Sequence, residues 1–160
     1  MGAGHDNLVE SFIKSDLSPT GKWWVEVPVG LSVDGTTAVK HIDAVCLTSQ
    51  EFDLPEVYPE RTGMVEYVNP DGHGSSVSKT ELFRRMNSSH HFQEESVALV
   101  ECKTGPLSLK GVGQLVAYEA LLTDDWNWEV DERILIGADI DPLVHEACKS
   151  LGIRTVQVSP

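Results

Sequence analysis

Glu101, Cys102 and Lys103 follow an apolar run, residues 97–100, that reads as a buried strand. Side chains two apart on a strand share a face, so Glu101 and Lys103 project together and Cys102 projects the other way. A carboxylate in that place can hold a hard divalent cation. An adjacent ammonium can position a water or stabilise an oxyanion. A second carboxylate, Asp43, sits among Ile42, Ala44, Val45 and Cys46 on another expected strand. An unpaired charge in apolar surroundings is expensive. An ion pair with Lys103 is one answer, but a cation shared with Glu101 accounts for both acids and the lysine together, and that is the expectation adopted. His41 lies on the Asp43 face and is read as a sheet histidine with its own partners, ahead of a phosphate contact.

Other chemistry-bearing residues are weaker. His90 and His91 are adjacent, so they point apart, and no Cys or acid falls at zinc spacing. Cys46, Cys102 and Cys148 are odd in number and widely separated, which fits reduced core thiols and excludes a disulfide frame or an iron–sulfur cluster. The glycine-rich stretch at Gly105, Gly111 and Gly113 lacks the G-x-x-x-x-G-K-[ST] arrangement, so no nucleotide cofactor is expected. Lys110, just before a helix, is placed to meet a backbone phosphate. Arg84 and Arg85, with Asn87, Ser88 and Ser89, form the basic and polar cluster able to grip phosphates.

The elements that must position these residues follow from periodicity. Leu8, Val9, Phe12, Ile13 and Leu17 predict a helix over 5–17, with Glu10 at the flank of the stripe. Residues 22–30 read as a strand whose Glu26 is a second acidic candidate, expected to pair with a base. Asp34-Gly35 marks a hairpin turn, and residues 37–48 return. Residues 49–95 read as loops around a short strand, 64–68, followed by a capping box, Ser78 to Glu81, that opens a short helix. That segment is either a surface excursion or a flap over the substrate. After the acidic strand, Gly105, Pro106, Gly111 and Gly113 predict a loop. A helix over 112–122 follows, placing Gln114 and Tyr118 on one face. Residues 124–129 read as an acidic, aromatic loop, and residues 133–138 as a buried strand. Asp141-Pro142 opens a helix that Gly152 ends, with His145 and Cys148 as packing residues. The last strand, 153–158, implies a parallel crossover.

The order of these pieces, an apolar residue then Asp43 on one strand, Glu101-x-Lys103 on another, and Gln114-Leu115-x-x-Tyr118 on a helix, resembles the PD-(D/E)XK nuclease superfamily. Its RecB-like and Holliday-junction-resolvase-like branches look closest. The resemblance spans nearly the whole chain if residues 50–95 are an insertion between the Asp and Glu strands, where the family usually has a short connection. It implies an α/β, restriction-endonuclease-like αβββαβ core with a mixed central sheet flanked by helices, plus a C-terminal helix and strand, in one domain over 1–160. It implies Mg²⁺, with Mn²⁺ as a substitute, held by Asp43, Glu101 and the backbone carbonyl of Cys102, with Glu10 completing the site. It makes Lys103 the residue beside the attacking water and gives Gln114 and Tyr118 the task of orienting ligands or DNA. The implied reaction is hydrolysis of DNA phosphodiesters leaving a 5′-phosphate, and enzymes of this kind are commonly homodimers.

Composition bounds the reading. The chain has 160 residues, 41% hydrophobic, with 13 glycines and eight prolines, which suits one globular domain. No apolar run approaches the roughly 20 residues of a membrane helix, and MGAGHDNLVE lacks a basic region and an apolar core, so a cytoplasmic protein is expected. Twenty-five acidic against 12 basic residues give a net charge of −13, which repels nucleic acid at low salt. Such a surface suits concentrated salt, where repulsion is screened. It also keeps two rivals in view: a nucleic-acid-binding module that does not cleave, and a protein-interaction domain of viral or defence origin whose acidity imitates DNA.

Overall fold

The computed structural model describes residues 3–33, 40–49, 79–88 and 92–158. In chain order these form α1 (Ala3–Lys14), β1 (Lys22–Val29), β2 (Lys40–Leu47), α2 (Lys79–Ser88), β3 (Ser96–Pro106), α3 (Leu109–Trp126), β4 (Glu129–Asp139), α4 (Pro142–Ser150) and β5 (Ile153–Gln157). Among the described residues the strands make one five-stranded sheet in the order β1-β2-β3-β4-β5. The first three strands are antiparallel, and β3, β4 and β5 are parallel. The α/β class, mixed sheet and flanking helices agree with the expectation from the sequence.

Register assigns the two faces. Trp24 pairs with Val45, Val45 with Leu99, and Leu99 with Arg133. That face carries α3: Trp126 packs on Trp24 at 5.5 Å, and Glu119 takes both arms of the Arg133 guanidinium, Nη2 at 2.6 Å. Phe83 of α2 and the neighbouring Phe92 and Trp128 close around the same Trp24. The opposite face carries α1, where Phe12 meets Trp23 edge to face. The stripe Leu8, Val9, Phe12 and Ile13 is fully buried there, as its helical spacing requires. Ser15 and Ser18 cap the end of α1 by donating to the carbonyls of Phe12 and Ile13.

Several boundaries differ from the reading of the sequence, each for a physical reason. The strand expected to stop near Lys103 continues to Pro106, because pairing with β4 extends to Asp139. α3 begins at Leu109, so Gly111 and Gly113 are helical and Lys110 lies in the first turn, not in a loop. Asp124, Asp125 and Trp126, read as a loop, are the last turn of α3. The helix closes at Asn127, whose left-handed backbone lets its N–H reach Thr123 O at 2.8 Å. β4 starts at Glu129 and is longer than residues 133–138. Asp141 caps α4 as expected, accepting from Leu143 N. His145 is exposed, with Nδ1 at 2.6 Å from Thr155 Oγ1, so of the pair only Cys148 packs in the core. The expected turn at Asp34-Gly35, the strand over 64–68, Ser78 of the capping box and His90-His91 lie outside the described residues.

Candidate functional site

β2 and β3 pair only as far as Ala44 and Val100. One residue further, the Asp43 side chain takes the place of a backbone partner, its Oδ2 accepting from Cys102 N at 2.6 Å. The apolar residues on either side make these strands and bury them. The same burial leaves Asp43 and Glu101 only 5% and 3% exposed. The two carboxyls meet on the face that α3 covers. Burial first, then the hydrogen bond and charge of Asp43, push the Glu101 carboxyl up to about 9, and Lys103 only partly opposes this. Two such groups cannot both ionise cheaply, so near neutral pH Glu101 keeps its proton.

Lys103 lies across this pair. Its Nζ is 3.8 Å from Glu101 Oε2 and donates to Gln114 Oε1. It reaches that position over the first turn of α3 because residue 111 is glycine: a Cβ there would lie 3.3 Å from Lys103 Cε and 3.2 Å from Leu135 Cδ1. Tyr118, one turn beyond Gln114 and half-buried, has its hydroxyl pKa raised by burial and by the charges of Glu101 and Asp43. Asp43, Glu101, Cys102, Lys103, Gln114 and Tyr118 are thus brought together from β2, β3 and one flank of α3.

Glu10, Arg84 and Arg85 stand elsewhere. Glu10 is on α1, across the sheet from α3. Among the described residues no group of three or more His, Cys, Asp or Glu is arranged to hold a metal ion. Arg84 is half-buried, and the exposed Arg85 pairs with Glu81 at 3.5 Å. Both lie on α2, whose Asn87 donates to Asp125 O at the far end of α3. Lys110 is exposed at the opposite end of that helix, beside an N-cap, Ser108, that makes no side-chain cap. A groove of about 670 Å³ on the other flank of α3, lined by Val116, Glu119, Arg133, Leu151 and Ile153 among others, includes none of these residues.

A hard divalent cation fits the Asp43–Glu101 pair in chemistry. The donors are carboxylate oxygens, and Glu101 Oε1 is buried with no hydrogen-bond partner among the described residues. Sequence reasoning missed Asp125. Its buried carboxylate accepts from Gly30 N and Ser32 N, each at 2.8 Å, and from Ser32 Oγ at 2.7 Å, fastening the end of β1 to the end of α3. Its place beside a second aspartate and a tryptophan gave only a loop signal. No family model matches the chain, and neither a curated protein nor a solved structure matches it.

Proposed function

We propose that the protein is a Mg²⁺-dependent nuclease that hydrolyses DNA phosphodiester bonds on a PD-(D/E)XK-like site. The observation that carries this reading is Glu101: a buried carboxyl with an unmet oxygen, pressed against Asp43, beside a lysine held by a glutamine. Asp43, Glu101 and the backbone carbonyl of Cys102 would hold the cation. Once bound, it supplies Lewis-acid polarisation of the phosphate and a water of lowered pKa. Lys103 would hold the attacking water in line with phosphorus and would offset the charge gathering on the phosphoryl oxygens. Water's oxygen joins phosphorus, the P–O3′ bond breaks, and a 5′-phosphate and a 3′-hydroxyl are left. Gln114 fixes the lysine, and Tyr118 flanks both carboxyls. Lys110, at the open N-terminus of α3, meets the backbone beside the scissile bond.

The test is cleavage of plasmid and short duplexes with Mg²⁺ or Mn²⁺ from low to molar KCl, beside Glu101→Ala and Lys103→Ala. Metal-dependent nicking, lost at least about a hundredfold in both variants, is expected. No cleavage at any salt, with no Mn²⁺ heat in calorimetry, removes the enzyme reading. The net charge of −13 favours one alternative, a protein-interaction domain. Its sign is capture of a basic protein without affinity for DNA at any ionic strength.

A further inference from the structure

Glu26 interrupts β1. Its φ is 55°, a left-handed backbone in the middle of a strand, and it is half-buried between the buried Val25 and Val27. Val25 pairs with Ala44 and Val27 with Ile42, so Glu26 stands directly across from Asp43, at a position where ladder pairing is absent. Residues 24 and 26 share a face in an extended strand, and Trp24 lies on the Asp43 face through its partner Val45.

A left-handed conformation is unfavourable for a residue with a long side chain, and glycine or asparagine serves where only the kink is needed. Such strain collects where the structure uses it. Across the strand lies a centre with a shortage: Glu101 is only 3% exposed, and its Oε1 has no hydrogen-bond partner among the described residues. Asp43 and Glu101 are two carboxylates where a hard cation takes about six oxygen ligands. Among the described residues no group of three or more His, Cys, Asp or Glu is arranged to hold a metal ion.

We propose that Glu26 is the third carboxylate of the Asp43–Glu101 centre, and that a divalent cation draws it in as residue 26 turns from left-handed to extended backbone. That turn carries the side chain onto the Asp43 face, in register with Asp43. The proposal rests on the reading of Asp43 and Glu101 as a cation site and assigns β1 a moving part in it.

Mn²⁺ titration calorimetry on the full chain tests it, with Asp43→Asn, Glu26→Gln and Glu26→Gly, and with thermal midpoints taken without added metal. Asp43→Asn should lose binding. Glu26→Gln and Glu26→Gly should each bind about tenfold or more weakly, while Glu26→Gly melts higher than the parent without metal, because glycine accepts the left-handed backbone. If the parent binds Mn²⁺, Asp43→Asn does not, and Glu26→Gln binds as the parent does, the cation site stands and Glu26 is no part of it. Weakening by the glycine variant alone makes the backbone, not the carboxylate, responsible and overturns the proposal. A parent that binds no Mn²⁺ removes the cation site and the proposal together.

Discussion

Glu101 is the residue at which the site and the stability of the fold conflict. Its carboxyl is pushed up to about 9 by burial and by Asp43, against 4.5 for the free group. The folded protein therefore keeps a proton that the unfolded chain has lost. The stability that proton confers is fully present below about pH 4.5 and drains away as pH rises to about 9, at up to about 1.4 kcal/mol per pH unit. Glu101→Gln keeps the shape and removes the titration. Its melting midpoint relative to the parent should rise steadily from about pH 5 to about pH 9, by about ten degrees or more over the range. A difference that stays flat with pH would mean that the carboxyl ionises normally and that Asp43 and Glu101 are not the close buried pair described. The same substitution should abolish cleavage, so a gain in stability and a loss of activity would come from one atom change.

The elements show which parts of this were legible in the sequence. Asp43, Glu101 and Lys103 were, because apolar runs on both sides fix their strands and the two-residue period fixes their faces. The start of α3 was not. Two glycines and a proline are loop signals, yet both glycines are helical, and the space around them differs. Lys103 and Leu135 crowd Gly111, while a methyl group at Gly113 would meet nothing within 4 Å. Asp125 was illegible because its partners, Gly30 and Ser32, lie 95 and 93 residues away in the chain. The two glycines give paired expectations. Gly113→Ala should stabilise the exposed helix by about 0.5–1 kcal/mol and leave cleavage unchanged. Gly111→Ala gains the same helix propensity but presses on Lys103. Its melting midpoint should change by less than that of Gly113→Ala, while cleavage falls about tenfold with Mn²⁺ affinity retained. Equal behaviour of the two variants in both melting and cleavage would show that Lys103 does not depend on the gap at Gly111.

At the scale of the whole molecule the charge of −13 opposes both the compact state and the approach of DNA. The basic residues of the strands and helix that build the site are few: Lys103 beside Glu101, Lys110 in the first turn of α3, and the exposed Lys40 at the start of β2. Two salt effects then compete. Counterion release from a few phosphate contacts makes binding weaken as salt rises. Screening of the acidic surface makes binding strengthen, and at 1 M salt the screening length is only about 3 Å. These few local basic groups, set against an excess of 13 negative charges, place the balance on the side of screening. Cleavage under subsaturating DNA should rise from about 20 mM KCl to a maximum at several hundred millimolar before counterion competition turns it down. The melting midpoint should climb over the same range and level off. Lys110→Ala should lower the rate at the maximum by several-fold while leaving the climb in melting midpoint intact, because that climb belongs to the surface as a whole. A rate that falls from the lowest salt onward, as for a basic nuclease, would show that DNA meets only the local cations and that the acidic surface takes no part in the encounter.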